Sequence, residues 1–306
     1  MRIAILGSGG VGGYFGGRLA AAGSDVTFIA RGAHLAAIRQ HGLRLVSPRG
    51  DAHVAPAKAV PTIADAGPVD VVLVGVKLWD TEAIAPSLRP LALSGAAILS
   101  LQNGVQKDDI LRRHLPPEAV MGGVCYIAAT IAEPGVIHHS GAMQRLVFGE
   151  YGGARSTRGE AFLQACTGAG IDAEFSDAIE RLIWEKFVFL VGLSGTTSMF
   201  RKSIGPIREH APSRAMLLEA MREVVAVGRA KGVPLPADFA DGRLAFCDGL
   251  PAGMTSSMQT DHERGNRLEL PWLSGGVVEM GRALDIPTPV NAAITAALMP
   301  YAQGRS

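Results

Sequence analysis

Three groups of residues in this chain have the type and spacing to do chemistry. The first is GSGGVG at 7–12, in which Gly7, Gly9 and Gly12 make G-x-G-x-x-G and Ser8, Gly10 and Val11 fill the intervening positions. A tight turn at Gly7, bare backbone at Gly9 and close helix–strand packing at Gly12 would set a pyrophosphate against unpaired amides and the positive end of a helix dipole. The second is Lys77 and Asn103, polar residues placed just after the apolar runs that begin at Asp70 and Ala96. Ligands of open parallel sheets bind beyond the carboxyl ends of the strands, so both should face a cofactor. A solvated strand end for Lys77 and an Asn-Gly turn at Asn103 are the plainer alternatives. The third is Lys186, in the middle of an apolar stretch and followed by FVFLVGL. Facing a reacting group, its ammonium would be desolvated and its pKa lowered toward that of a proton donor. At a helix edge it would simply snorkel to water.

The elements that must hold these groups are legible around them. Arg2–Leu6 reads as a strand, an Ala-rich helix runs to a C-cap at Gly23, and Ser24–Ala30 reads as a second strand, the βαβ context the glycine motif requires. The position after the second strand carries Arg31 where an NAD site places an acid, and Asp25 lies too early to serve. Arg31 therefore points to NADPH over NADH, with a solvated surface arginine as the alternative. Asp70–Val76 and Ala96–Leu101 read as strands buried on both faces, with a helix around Asp80–Leu88 between them. Further strands are expected at Val120–Thr130 and Val136–Glu150 around a Glu133-Pro134-Gly135 turn, then a helix at Gly159–Gly168 and an edge strand at Ile171–Phe175.

From Asp177 helical periodicity dominates. The expected organisation is α/β: a Rossmann-type doubly wound sheet over residues 1–176, followed by an all-helical domain over 177–306. In that domain Asp177–Phe200 reads as one long buried helix, on which Leu190 and Ser194 share a face with Lys186. Thr255–Ser257 could cap a helix, Pro271 suits the first turn of the next, and Glu269 would complement that helix's dipole.

The bulk numbers narrow the class. A length of 306 residues favours two domains, and a net charge of +1 with 19% charged residues argues against a nucleic-acid surface. No apolar run reaches the roughly 18 residues a membrane span needs, and the chain opens directly on a strand, leaving no room for a signal peptide. Cys125, Cys166 and Cys247 lack metal-ligand spacing and read as reduced core thiols of a cytoplasmic protein; no metal is expected. His138 and His139 lack acidic or cysteine partners at ligand spacing and read as structural or exposed.

Taken together, GSGGVG, Arg31, VKLWD from Val76, QNG at 102–104, WEKF around Lys186, SSMQTD from Ser256 and Glu269 resemble the ketopantoate reductase (2-dehydropantoate 2-reductase) family in order and spacing. The resemblance implies NADPH-dependent reduction of a 2-oxo acid, 2-dehydropantoate to pantoate, a step of pantothenate biosynthesis, in a cleft between a Rossmann and a helical domain. It implies Lys186 as general acid, Asn103 and Ser257 at the nicotinamide and substrate, Lys77 beside the nicotinamide and Glu269 as an acid of the same site. The sequence departs from the family at Leu190, Ser194 and Ile204, where well-studied members carry asparagines that grip the hydroxylated substrate. Aliphatic side chains cannot replace those bonds, which makes a more apolar 2-oxo acid a credible substrate. A β-hydroxyacid dehydrogenase relative and a catalytically silent NADPH-binding sensor are the competing readings. A homodimer through the apolar C-terminal helices is compatible with the pattern, as is an intramolecular core.

Overall fold

The computed structural model describes residues 1–305 and divides into two compact units, Met1–Ile179 and from Glu180 onward. The first contains β1 (Arg2–Leu6), α1 (Gly10–Ala21), β2 (Asp25–Ile29), α2 (Gly32–His41), β3 (Leu43–Val46), β4 (Ala52–Val54) and β5 (Lys58–Val60). It continues through β6 (Val71–Val74), α3 (Thr81–Leu93), β7 (Ala97–Ser100), α4 (Lys107–His114), β8 (Val120–Glu133), β9 (Val136–Gly149), α5 (Thr157–Gly168) and β10 (Asp172–Phe175).

The strands form one sheet in the order β4-β3-β9-β8-β7-β6-β1-β2-β5, with β10 pairing β9. β1 pairs parallel with β2 on one side and β6 on the other, Leu6 opposite Ile29 and Val74. The chain thus builds outward from β1 in one direction, then returns to build in the other. That reversal is the topological switch point at which open α/β sheets take ligands.

Side-chain alternation along the central strands feeds two cores. Ile3 and Ile5 pack with Tyr14 and Phe15 of α1, whereas Ala4 and Leu6 join Val72, Val74, Leu88 and Leu111 on the opposite face. Helices cover both faces, so β6 and β7 are buried at every position, as continuous apolar runs require.

β8 departs from a plain alternating pattern. Its first six residues are buried and its last four exposed. Val120 and Met121 pair with β7, and from Gly122 onward the strand pairs only with β9, with register shifts at Ile127/Ala128 and Ile131/Glu133.

Every regular element among the described residues of the second unit is a helix. This unit holds most of α6 (Ile179–Phe200), then α7 (Ile204–Glu209), α8 (Ala211–Ala230), α9 (Phe239–Asp248), α10 (Ser257–Arg264), α11 (Ser274–Ala283) and α12 (Pro289–Leu298). Small residues let α6 approach its neighbours: a Cβ on Gly192 would lie 2.5 Å from Met221, and one on Gly195 3.0 Å from Ile294. One expectation is corrected. Pro271 precedes α11 rather than opening it, because the Glu269 carbonyl accepts from both Trp272 N–H (3.0 Å) and Leu273 N–H (3.1 Å), closing a turn before the helix begins at Ser274.

Candidate active site

β1 ends in Gly7, whose φ of +97° favours glycine and whose added Cβ would fall 2.6 Å from the Val76 backbone nitrogen. A Cβ on Gly12 would sit 2.3 Å from the Gly7 carbonyl oxygen, so helix and loop meet backbone to backbone there. Gly9 is different: nothing lies within 4 Å of its Cβ position. Gly9 is also the N-cap of α1, with no side-chain cap and no acid in the first turn. Gly10, the first residue of α1, is packed on β8, where a Cβ would fall 2.0 Å from the Ala129 carbonyl oxygen, so the open approach to the helix N-terminus is at Gly9, where bare backbone suits a pyrophosphate. The residues present fit a dinucleotide.

Ser8 plays an inward part. Its hydroxyl donates to the Ile29 carbonyl (3.1 Å), and the Gly7 and Ser8 N–H groups also go to the Ile29 carbonyl. Ser8 pins the loop to β2. His34, which the sequence did not single out, completes the clamp. Its Nε2 lies 2.8 Å from the Ser8 carbonyl, and its Nδ1 accepts from Gly135 N–H at 3.0 Å, which makes Nε2 the protonated nitrogen. The two partners are 26 and 101 residues away in sequence, so no local pattern could reveal the contact.

Arg31 is the exposed N-cap of α2, just past β2. Lys77 is exposed three residues after β6, its Nζ 5.5 Å from the centre of the Trp79 ring. Asn103 is half-buried three residues after β7. Gln102, before it, is buried and hydrogen-bonded toward the β6 end, a further feature the sequence did not mark.

A buried ionic cluster follows. Lys107, 1% exposed, donates to Asp108 Oδ2 at 2.6 Å, and the Tyr151 hydroxyl donates to the same oxygen at 2.7 Å. Burial, then the Asp108 charge and hydrogen bond, raise the Tyr151 pKa well above the ordinary phenol value, so Tyr151 stays a donor.

In the helical unit Lys186 is half-buried on α6 among buried Trp184, Phe187 and Val188. Leu190 is half-buried, Ser194 is fully buried with a hydroxyl that has no hydrogen-bond partner among the described residues, and Ile204 is fully buried at the start of α7. Ser256 caps α10, accepting from Gln259 N–H (3.1 Å) and sharing a 2.8 Å hydrogen bond with Thr197 of α6; Ser257 beside it is exposed. Glu269 is buried in the turn before α11.

The three cysteines are buried free thiols, burial pushing Cys166 up to about 12 and Cys247, aided by Asp248, up to about 11. His139 is buried and bonded to Ser47 Oγ (2.8 Å) and the Met143 carbonyl (2.9 Å), while His138 is exposed, in keeping with their structural and surface readings. Among the described residues no helix is long and apolar enough to cross a membrane, and no cluster of three His, Cys, Asp or Glu is arranged to hold a metal.

A glycine turn leading from a central strand into a helix at the switch point of a parallel sheet is the arrangement of the dinucleotide-binding class of protein. Comparison with known proteins narrows it. The family model described as Ketopantoate reductase PanE/ApbA matches residues 3–153, and that described as Ketopantoate reductase PanE/ApbA C terminal matches residues 178–302. A 2-dehydropantoate 2-reductase of Halobacterium salinarum is 32% identical over 291 residues, covering 95% of each chain. An uncharacterized oxidoreductase, YkpB of Bacillus subtilis, is 31% identical over 301 residues, covering 98% of this chain and 99% of its own. The crystal structure of a PanE/ApbA family ketopantoate reductase from Ralstonia eutropha superposes with a TM-score of 0.89 at 33% identity, covering 99% of this chain and 98% of that one. The chain belongs to the ketopantoate reductase family, NAD(P)-dependent oxidoreductases that act on CH–OH groups.

Proposed function

We propose that this protein reduces a 2-oxo acid to the 2-hydroxy acid with NADPH, 2-dehydropantoate being the first substrate to test. The observation that carries the reading is Lys186, an ammonium held half-buried on the apolar helix α6 of a ketopantoate reductase family chain. A bound reduced nicotinamide would supply the hydride that the ketone carbon accepts. Lys186 Nζ would give a proton to the carbonyl oxygen as its π pair moves there, so that the alcohol forms without a free alkoxide. The loop from Gly7 to Gly12 holds the pyrophosphate through the α1 amides, and Arg31 takes the 2′-phosphate. Lys77 and Asn103 sit at the nicotinamide end, and Asn103 with Ser257 and Glu269 orients the substrate.

Leu190 and Ile204 favour a second reading of specificity, in which the substrate is a more apolar 2-oxo acid. A site lacking polar partners for a substrate hydroxyl discriminates poorly in its favour.

The test follows NADPH absorbance against a panel of 2-oxo acids that includes 2-dehydropantoate. Turnover of 2-dehydropantoate with a kcat/KM above that of apolar members supports the first substrate, the reverse order supports the second, and turnover of none rejects the reading. Lys186→Ala should bind NADPH normally while losing roughly 10²- to 10⁴-fold in kcat. Near-normal turnover in that variant would remove Lys186 from the chemistry.

A further inference from the structure

The last backbone bond between β6 and β7 is Leu101 N–H to the Val74 carbonyl, at 2.9 Å. Both chains then run on into the segments that carry Lys77 and Asn103. Past that point the Gln102 side chain takes over from the ladder. Its Nε2 donates to the Val76 carbonyl (2.9 Å) and to Thr81 Oγ1 (2.7 Å), while its Oε1 accepts from the Ser100 hydroxyl (2.9 Å). The Ser100 oxygen in turn accepts from Gln102 N–H (3.3 Å), which locks the side chain to its own backbone.

Gln102 is 8% exposed, and Thr81 and Ser100 are fully buried. A buried amide whose donors and acceptor are all used has one orientation available to it, so the bracket is stiff. Val76 immediately precedes Lys77, Thr81 opens α3, and Asn103 immediately follows Gln102. The β6 end also touches the glycine loop, a Cβ on Gly75 falling 3.0 Å from the Gly7 carbonyl oxygen.

We propose that Gln102 is a positioning residue: its carboxamide fixes the separation of the two strand-end segments, and with it the placement of Lys77 and Asn103 against the nicotinamide. This rests on the reductase reading above. Gln102 itself touches neither nucleotide nor substrate in this scheme. Its removal should therefore spare binding, which the glycine loop and Arg31 govern, and damage the geometry of hydride transfer. A misplacement on the order of 1 Å costs roughly 10²-fold in rate.

The experiment compares wild type with Gln102→Leu, which keeps the volume and deletes the donors, and with Thr81→Val and Thr81→Ser, which delete and keep one acceptor. Steady-state kinetics with the best 2-oxo acid, NADPH binding by fluorescence and amide hydrogen exchange are read on each. Gln102→Leu is expected to lose about 10- to 100-fold in kcat with little change in NADPH Kd, Thr81→Val to lose less, and Thr81→Ser to match wild type. Exchange should quicken at 76–81 and 103–106 while residues 2–6 stay protected. A kcat for Gln102→Leu within about twofold of wild type, or a kcat loss matched by an equal loss of NADPH affinity, overturns the proposal.

Should wild type turn over no 2-oxo acid, the reductase reading falls. Hydrogen exchange then decides the bracket by itself, faster exchange confined to the two segments supporting it and unchanged exchange refuting it. Should Gln102→Leu not fold, the Thr81 pair carries the same readouts: equal kcat and equal exchange in Thr81→Val and Thr81→Ser refute the bracket, and a deficit in Thr81→Val alone supports it.

Discussion

Arg31 is exposed at the N-cap of α2, two residues past the end of β2. A 2′-phosphate meeting it would gain a charge-assisted bond, but solvent screening at an exposed site keeps such a bond modest. Arg31→Ala should therefore raise the KM for NADPH about tenfold and leave the KM for NADH nearly unchanged. Parallel saturation curves with the two nucleotides check this, and equal rises for both would detach Arg31 from phosphate recognition. Arg31 was legible because the end of the second strand is a fixed place in the βαβ unit. The role of His34 was not, and neither were the long-range partners of Gln102. His34 joins Ser8 and Gly135, and Gln102 reaches Val76 and Thr81, pairs that only the folded sheet brings close.

Elements were legible where one physical cause dominates. β6 and β7 are apolar throughout because both faces are covered, and α1 follows its glycine turn at the expected place. The unforeseen features arise where tertiary contacts replace local ones, and α12 shows it well. Pro289 at its first position has no N–H to satisfy, and the next two amides go to α8: Val290 N–H to Glu223 Oε1 at 2.7 Å and Asn291 N–H to Glu223 Oε2 at 2.9 Å. The Asn291 side-chain amide adds a third bond to Oε2 at 2.7 Å. Glu223 is 8% exposed, so its carboxylate is both the cap of α12 and the tie between two helices. Glu223→Ala strands those donors in a buried place and should cost about 2–4 kcal/mol, against roughly half that for Glu223→Gln, which keeps one acceptor oxygen. Denaturant titration of the two variants gives the comparison, and equal stabilities would show that the carboxylate does not hold α12.

At the scale of the whole molecule, the sheet's reversal at β1 puts the glycine loop at the switch point, with β2 paired on one side of β1 and β6 on the other. The division into an α/β unit followed by a helical one is legible in the change of periodicity near residue 177. The β8–β9 hairpin around Glu133-Pro134-Gly135 was legible as well, whereas the attachment of β3 and β4 beyond it is set by pairings between distant segments, such as Arg44 with Val136, that no window of sequence contains. A nucleotide that binds this sheet only when folded must stabilise it by mass action, by about 2.7 kcal/mol at a hundredfold excess over Kd. Gly9 separates that linkage from folding. Its backbone, φ −73° and ψ −160°, suits any L-residue, and an added methyl meets no protein atom within 4 Å. Gly9→Ala should therefore melt close to wild type without nucleotide and lose most of the NADPH-dependent rise in Tm, because the methyl occupies the path of the pyrophosphate. Gly12→Ala should behave oppositely, lowering Tm even without nucleotide, since its methyl meets the Gly7 carbonyl oxygen at 2.3 Å. Thermal melts of the three proteins with and without NADPH distinguish the two effects. An undiminished NADPH-dependent rise in Gly9→Ala would place the pyrophosphate elsewhere than on the first turn of α1.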